Sequence, residues 1–426
     1  MYNRMRHLIM VIIALSVALA GCAPRTPAVV QAGELSSDKP RLSAGSETDP
    51  AVAGLVEGNT RLALELYRAL FSSAENQFAS PYSISLALAM AYIGARSETE
   101  AEMASTLHLP DRDALNAAFN ALDQALRSRG QKVKEGERFR LNIANATWGQ
   151  KGLSFQDEYL DALAEYYGSG LRIVDFQTAA EGARQAINQW VEEQTEDKIK
   201  DLLPPGSVND LTRLVLANAI YFNAAWQHPF NKGATADGPF HLLDGRQVSV
   251  PLMHQSARFG YTAGPGFQAV ELPYVGGEMS MVILLPEEGT FAEWAQRLDA
   301  GMLADIVEHI EYQQVQLTLP RFGYESGFQL KGVLEQLGMG QAFSADADFS
   351  GMTGKRELFI SDVYHKAFVA VDEEGTEAAA ATAVVVGTTS MPAEPVVVTV
   401  DRPFVYLIRD VATGTVLFLG HVVNPA

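Results

Sequence analysis

Residues 372–382 read Asp372-Glu373-Glu374-Gly375-Thr376-Glu377-Ala378-Ala379-Ala380-Ala381-Thr382, directly after a strand-like run that ends at Val371. The four alanines alone favour a short helix or a linker. In an extended strand, however, one face would carry only small or apolar uncharged side chains, namely Thr376, Ala378, Ala380, Thr382 and Val384. Glu377 would lie on the other face, where water can solvate it. The segment can therefore remain in solvent as a loop and can also enter a sheet without burying a charge.

Outward from this stretch, the chain changes from helical to strand patterns. Helices are predicted from the spacing of Leu62, Leu66 and Leu70, from the run 84–92 after Ser80-Pro81, from a capping box of Ser97 with Glu100, and around 155–167 and 183–194. Strands are predicted at 141–148, 215–222, 268–272, 279–285, 314–319, 358–371, 396–400, 404–408 and 416–419. Helices first and strands later indicate a mixed α+β domain with largely antiparallel sheets.

The N-terminus has the pattern of an export signal. Arg4 and Arg6 precede an apolar run from Leu8 to Ala20, which is short for a membrane span. The run ends in Leu19-Ala20-Gly21-Cys22, which resembles the lipobox of bacterial lipoproteins. Residues 1–21 are therefore predicted to be a signal peptide and Cys22 a lipidated first residue, held at the outer face of a membrane or in the periplasm. An idle thiol next to a plain secretory cleavage site is the alternative for Cys22.

The composition after Cys22 predicts a flexible tether followed by one domain. Residues 23–50 are rich in Pro, Ala, Ser, Thr, Gly and Asp and contain few large apolar side chains, so they cannot bury enough surface to fold alone. Residues 51–426 show no second linker and no internal repeat. The chain has 32 basic and 51 acidic residues and a formal charge of −19. Such a surface repels phosphate backbones, so nucleic acid is excluded as a partner.

Most enzyme classes lack their characteristic residues here. The eight histidines form no pair at i, i+3 or i+4, and with Cys22 assigned to lipid there is no Cys/His cluster for zinc. There is no G-x-S-x-G elbow and no Walker loop, and Gly264-Pro265-Gly266 is no dinucleotide fingerprint because Ala269 replaces the third glycine. We expect neither a metal nor a cofactor. A hydrolase whose triad is assembled from distant residues has no spacing signature and stays open as an alternative.

Several blocks of the sequence resemble one family in the order in which that family carries them. These blocks are 76–84, 216–222 with Trp226, 319–322, 348–351, 373–382, and 401–404 with 420–425. The chain is thus identified as similar to the serpins, in particular to their inhibitory members, whose reactive-loop hinge is rich in alanine. The resemblance implies a single domain with a large central, mostly antiparallel sheet, further smaller sheets and a bundle of helices. It also implies a non-enzymatic, monomeric inhibitor whose reactive loop spans about 373–395.

The resemblance implies a mechanism and a role for individual residues. In serpins a serine protease cleaves the loop, and the freed hinge enters the sheet while the protease is still attached. Here the hinge would be Glu373, Glu374, Gly375, Thr376, Glu377, Ala378, Ala379, Ala380, Ala381 and Thr382. Thr376 is expected to enter first and Gly375 to flex. Ser80, Ser83, Asn218 and His365 would form the shutter beneath the sheet, and Trp226, Arg321 and Glu373 the breach where the loop enters.

The scissile bond is placed by counting. About seventeen residues from Glu373, the usual serpin spacing, leads to Thr389 followed by Ser390, whereas counting back from Pro403-Phe404 leads slightly further along. The bond is therefore expected within Thr388 to Met391. Small and β-branched residues in the loop favour an elastase-like or subtilisin-like target over a trypsin-like one. The rival function is a serpin fold that binds or acts as a chaperone without inhibiting. Its sign would be charge, bulk or proline in the hinge, and 375–382 has none of these on the face that carries Thr376, since Glu377 lies on the other face.

Overall fold

The computed structural model of the protein describes residues 32–131, 133, 139–376 and 394–426. The α-helices of these residues are α1 (Pro50–Leu70), α2 (Pro81–Tyr92), α3 (Ser97–Thr106), α4 (Arg112–Ser128), α5 (Asp157–Ala162), α6 (Phe176–Gln194), α7 (Phe291–Arg297), α8 (Ala300–Glu308), α9 (Lys331–Gln336) and α10 (Ser350–Thr353). A π-helical turn, Leu163–Tyr167, continues α5.

The strands of the same residues form two sheets. They are β1 (Gly33–Leu35), β2 (Gln77–Ala79), β3 (Phe139–Gln150), β4 (Leu171–Val174), β5 (Leu214–Ala225), β6 (Ala236–His241), β7 (Gln247–Gly264), β8 (Phe267–Pro273), β9 (Met279–Pro286), β10 (Glu311–Pro320), β11 (Phe322–Gln329), β12 (Asp362–Val371), β13 (Gly375–Thr376), β14 (Val396–Thr399), β15 (Phe404–Asp410) and β16 (Val416–Val422). The main sheet has the order β1-β4-β3-β5-β13-β12-β11. The second follows β14-β10-β7-β8-β9-β15-β16-β2, with β6 on β7.

The main sheet is mostly antiparallel, as the sequence predicts. Among the strand pairings of the described residues in this sheet, β3–β4 and β5–β12 run parallel and the others run antiparallel. β5 lies at its centre and runs from Leu214 to Ala225, and we call the end at Leu214 the lower end and the end at Ala225 the upper end. The nearly continuous apolar run of β5 is buried on both faces of the sheet.

Each face of the main sheet has its own core. Even-numbered β5 residues such as Ile220 and Phe222 pack toward α2 and the second sheet. Odd-numbered residues such as Val215 and Ala217 pack against α6. Every residue of α2 is buried, which explains why its sequence shows an apolar run rather than an amphipathic one. Ser80 caps this helix by accepting from the Ser83 N–H, as its position before Pro81 predicts.

One local prediction is wrong. The capping box of Ser97 and Glu100 does not form, because Ser97 adopts a positive φ of 55° and donates instead to Asp348. Glu100 pairs with Arg112. The side chains predicted to cap α3 are thus used in tertiary contacts, which local spacing cannot reveal.

The segment 33–49, predicted to be part of a flexible tether, is docked along the domain. Glu34 and its neighbours form β1, which pairs antiparallel with β4 at the edge of the main sheet. Arg41 donates to Asn120 Oδ1 at 2.9 Å and to Asp123 Oδ2 at 2.8 Å, and the Leu42 N–H donates to the Glu165 carbonyl at 2.8 Å. Polar and backbone contacts hold this N-terminal segment, so its low apolar content did not predict its order. No helix of the described ranges is long and apolar enough to cross a bilayer.

Candidate functional site

The central strands of the main sheet separate toward the upper end. β5 and β12 pair parallel over six registers, from Val215 with Asp362 to Ile220 with Ala367. Above them β13 lies between the two strands and pairs antiparallel with both, so that Thr376 is opposite Ala224 on one side and Val371 on the other. The two residues of β13 are therefore already inside the sheet at its upper end, whereas the sheet is closed below. We call this split region the sheet opening.

Thr376 is fixed in the sheet opening by a buried hydrogen bond. Its side chain is 2% exposed, and its Oγ1 lies 2.7 Å from the hydroxyl of Tyr274. The Tyr274 ring stacks on Trp226, with ring centroids 4.6 Å apart. Burial raises the pKa of Tyr274, so this hydroxyl stays neutral and can donate. Thr376 thus occupies a site shaped for a small side chain with one hydroxyl.

Gly375 is required by close approach. A Cβ at this position would lie 2.1 Å from the Ala224 carbonyl oxygen and 2.7 Å from the Ala225 Cα. Both contacts are with backbone, which cannot move aside without disrupting β5. The sequence assigned Gly375 a role in flexing, but here it is an extended strand residue whose missing side chain lets β13 pair with β5.

Glu373 forms the ion pair that the resemblance implies. Its side chain is fully buried and accepts from Arg321 Nε at 2.8 Å and from Thr235 Oγ1 at 2.6 Å. Burial opposes the charged form, but these two hydrogen bonds outweigh it, and the pKa of Glu373 is lowered. The carboxylate is therefore held ionised at the upper end of the sheet opening.

The residues around Glu373 bind the backbone of the hinge. Trp226 donates from its backbone N–H to the Glu374 carbonyl at 2.8 Å and from its indole Nε1 to the Asp372 carbonyl at 3.0 Å. The Phe230 N–H donates to the Glu373 carbonyl at 2.7 Å. Asp372 Oδ1 accepts from the Glu374 N–H at 2.8 Å, and burial raises the pKa of this carboxyl group. Trp226, Arg321 and Glu373, the residues that the resemblance assigns to the breach, are thus brought together.

A lysine also binds the segment Asp372–Glu374. Lys232 Nζ binds Glu374 Oε1, while Glu374 Oε2 is buried and has no hydrogen-bond partner among the described residues. Three consecutive carboxylates therefore share one arginine and one lysine at the base of the hinge. These contacts hold residues 372–374 in place, immediately before Gly375.

A second polar group lies lower in the sheet and closes it. Neighbouring strands align Asn145 of β3, Asn218 of β5 and His365 of β12 at one register. Ser83 of α2 donates to Asn145 Oδ1 at 2.8 Å, and Asn218 Nδ2 donates to Ser83 Oγ at 2.7 Å. We call these residues, with Ser80, the polar cluster.

His365 joins the polar cluster to α2 and to β5. Its Nε2 accepts from the Ser80 N–H at 3.0 Å, and its Nδ1 donates to Asn218 Oδ1. Ser80 Oγ donates in turn to the Leu417 carbonyl at 2.6 Å. Burial lowers the pKa of His365 from its ordinary 6.5 to about 3, so the ring is neutral at physiological pH and both nitrogens can make these bonds.

The four predicted shutter residues therefore meet in one cluster, separate from the breach. Asn218 and Ala224 are six residues apart in β5 (224 − 218 = 6), which places the cluster roughly 20 Å below Thr376. Both groups lie along the same strand gap. The remaining predicted residues, Glu377, Ala378, Ala379, Ala380, Ala381, Thr382, Thr389, Ser390 and Cys22, lie outside the described residues.

Sequence reasoning missed four contributors to these sites. Asn145, one of the amide side chains of β3, could have been noticed as a half-buried polar residue among small and apolar neighbours that needs partners. Tyr274, Lys232 and Thr235 carry no local signal, because each is brought to the hinge by a strand or turn distant in sequence. Within the described residues no group of His, Cys, Asp or Glu could hold a metal ion.

Known proteins resemble this chain in sequence and in structure. A sequence model described as Serpin (serine protease inhibitor) matches residues 57–425. An uncharacterised serpin-like protein of Thermococcus kodakarensis is 40% identical over 434 residues, covering 99% of this chain and 99% of that protein. The leukocyte elastase inhibitor of Homo sapiens is 41% identical over 384 residues, covering 87% of this chain and 99% of that protein. The native-state structure of tengpin, a thermophilic serpin, superposes with a TM-score of 0.82 and 28% identity, covering 93% of this chain and 100% of that one.

Proposed function

The chain belongs to the serpin family, and on that premise we propose that it inhibits a serine protease as a suicide substrate, by cleavage of its reactive loop and insertion of the hinge into the main sheet. The observation that carries this proposal is β13, because Gly375 and Thr376 already lie between β5 and β12. Insertion would extend a strand that has already started.

The register of β13 defines where an inserted hinge would lie. Thr376 is opposite Ala224, so continuing antiparallel down β5 pairs residue n with residue 600 − n and brings Val386 opposite Leu214. The same register pairs residue n with residue 747 − n of β12, so that Val385 reaches Asp362. Residues 375–386 would therefore fill the strand gap from its upper to its lower end.

The two faces of the inserted strand match their surroundings. Thr376 faces Tyr274 and the core between the main sheet and the second sheet, which we call the inner core. Along an inserted strand, Ala378, Ala380, Thr382 and Val384 would face the same core in alternation. Glu377 would face the opposite side, next to Asn223 at the upper end. No charge would enter the inner core, which keeps the desolvation cost of insertion low.

Insertion would also replace the closing contact of the polar cluster. Thr382 would come to lie between Asn218 and His365 in this register (600 − 218 = 382 and 747 − 365 = 382). The hydrogen bond that now joins Asn218 to His365 must break. The hydroxyl of Thr382 can both donate and accept a hydrogen bond in its place. The cluster would then be satisfied in both the open and the closed sheet.

The target is proposed from the composition of the loop. With the scissile bond between Thr389 and Ser390, the loop offers small and β-branched side chains, which fit a shallow apolar specificity pocket of the elastase or subtilisin kind. The similar leukocyte elastase inhibitors support this choice. We propose no catalytic activity of the chain itself.

A gel experiment tests the inhibitory mechanism. The protein is mixed with pancreatic elastase and the products are separated under denaturing conditions, with elastase whose catalytic serine is replaced by alanine as the matched control. We expect a covalent complex with the active enzyme alone and a released fragment that begins at Ser390. Clean cleavage without a complex would favour the non-inhibitory serpin fold, and turnover of an ester substrate would favour the hydrolase.

We further propose that Cys22 is acylated and that the protein is a membrane-anchored lipoprotein on the periplasmic or cell-surface side. The charged and apolar run before Leu19-Ala20-Gly21-Cys22 supports this proposal. Expression in bacteria with a radiolabelled fatty acid tests it. We expect label in the wild-type protein and none in Cys22→Ala, and an unlabelled wild-type protein would contradict the anchor.

A further inference from the structure

The N-terminal segment determines which end of the domain is attached to the preceding chain. β3 runs from the upper to the lower end, β4 is parallel to β3, and β1 is antiparallel to β4. The chain therefore enters β1 at the lower end and runs upward. Gly33 pairs with Ile173, which pairs with Gly149, and Gly149 pairs with Leu214 at the start of β5. The first strand residue thus lies at the end of the sheet opposite the sheet opening.

The far end of the N-terminal segment is near the upper end. Glu47 binds Arg129 at 2.7 Å, and Arg129 binds Asp410. Asp410 pairs with Met279, whose carbonyl accepts from the N–H of Tyr274, the partner of Thr376. Without the docked segment, the preceding chain would join the domain at its upper end. Docking moves this point of attachment to the lower end.

Docking also shortens the chain between Cys22 and the folded domain. From Cys22 to Pro50 there are 28 residues (50 − 22 = 28), which can span up to roughly 100 Å. From Cys22 to Gly33 there are eleven (33 − 22 = 11), which can span at most about 40 Å. A lipid at Cys22 would therefore hold the lower end of the domain close to the lipid surface.

The cleaved loop would end at the same place. In the proposed register Val386 reaches Leu214, and Thr389, which carries the acylated protease, follows three residues beyond the lower end. β5 is separated from β1 by only three strand spacings, about 15 Å. A protease of about 240 residues is roughly 45 Å across, comparable with the longest span of the attachment, so a protease held beside the lower end would touch the lipid surface.

Resting on the proposed lipid anchor and loop insertion, we propose that the docked N-terminal segment turns the lower end of the domain toward the lipid surface. The intact loop is then offered away from the membrane, and the trapped protease is carried onto the membrane surface. The partner at the lower end is a bilayer, and the segment Gly33–Asp49 is the orienting element.

Energy transfer on vesicles tests this orientation. The full-length acylated protein is placed on vesicles of phosphatidylcholine and phosphatidylglycerol that carry an acceptor dye on a fraction of their headgroups. Donor-labelled pancreatic elastase is then added, either active or with its catalytic serine replaced by alanine. The inactive enzyme stops at the intact loop, whereas the active one is carried through insertion. We expect severalfold more transfer from the active enzyme.

Variants of the N-terminal segment provide matched controls. The double variant Glu34→Pro/Arg41→Ala removes the strand and the contacts with Asn120 and Asp123, so the attachment returns toward the upper end. We expect it to form the covalent complex but to lose the difference between active and inactive elastase. Asp38→Ala, an exposed change in the same segment, should keep that difference.

The outcomes separate the orientation from the functions on which it rests. Wild-type protein that fails to float with the vesicles overturns the anchor, and the absence of a denaturant-resistant complex overturns inhibition. Equal transfer from both elastases, with flotation and complex formation intact, overturns the orientation alone. This comparison uses wild-type protein, so it holds whether or not the double variant folds.

Discussion

The substitution Thr376→Arg tests the entry of the hinge into the sheet most directly. In the native structure Thr376 is buried between Ala224 and Val371 and hydrogen-bonded to the hydroxyl of Tyr274. An arginine in this place would bury an unpaired charge next to an aromatic stack, at a cost of several kcal/mol. The two residues of β13 contribute about three hydrogen bonds, worth roughly 3 kcal/mol in total. Because the cost exceeds this gain, we expect the hinge to leave the sheet opening.

The loss of native stability is therefore limited to about 3 kcal/mol, the contribution of β13, whatever the full cost of the buried charge. Insertion of the residues that follow draws position 376 back between β5 and β12, so the transition state bears the full cost of the buried charge while the native state loses only β13. A difference of about 3 kcal/mol between the two slows insertion roughly a hundredfold. Hydrolysis of the acyl-enzyme does not depend on Thr376. The slowed insertion should then lose the competition, and most loops should be cleaved without trapping the protease.

The assay is a titration of elastase with each variant, measured as the number of inhibitor molecules consumed for each protease inactivated. We expect a value near one for the wild-type protein and more than about ten for Thr376→Arg, since insertion is slowed roughly a hundredfold. Thr376→Ser keeps the hydroxyl that bonds to Tyr274 and should behave like the wild type. A Thr376→Arg protein that inhibits as efficiently as Thr376→Ser would refute the insertion argument.

The remaining predictions concern the stability of the closed sheet. Loop cleavage should raise the unfolding temperature in calorimetry, because the hinge can then enter the gap, and equal temperatures for clipped and intact protein would contradict this. Burial lowers the pKa of His365 from 6.5 to about 3, so the unfolded state takes up a proton first as the pH falls below 6.5, and stability should fall by about 2 kcal/mol between pH 7 and 5. Urea titrations should show a smaller fall for His365→Asn, and identical pH profiles would exclude His365 as the group. Asn218→Ala removes the hydrogen bond to His365 that joins β5 to β12. On warming, this variant should convert from the intact form to a loop-inserted form faster than the wild type, as measured by native gel. Arg41→Ala should lower stability by about 2 kcal/mol, because it removes a bond to the buried Asp123, whereas Asp38→Ala should not change it.

The sequence predicted those elements whose signal is local. The spacing of Leu62, Leu66 and Leu70 lies within α1, and Ser80-Pro81 begins α2 as expected. The apolar run at 215–222 lies in the middle of β5. In these cases periodicity and capping act over a few residues, so one sequence contains all the information needed.

The elements that were missed depend on distant partners. β1 consists of three exposed residues with no apolar pattern, and it is a strand because the edge of β4 offers unpaired backbone groups. Likewise, the resemblance named Thr376 and Trp226, but only the fold brings Tyr274 between them. Positions of this kind depend on tertiary contacts, which neither composition nor spacing encodes.

The geometry of the sheet opening implies that insertion has two stages. The β5–β12 pairing begins only at Ile220 and Ala367, so in the register of β13 Glu377, Ala378 and Ala379 could enter without breaking any strand pair. From Ala380 onward each residue must displace one of six closed pairs, and Thr382 meets the bond between Asn218 and His365 as the third. Every displaced pair is replaced by two new ones, one on each side of the entering strand, so the second stage is downhill once the hydrogen bond between Asn218 and His365 is broken. The barrier that keeps the intact loop outside therefore lies at the polar cluster rather than at the upper end, where the hinge has already entered.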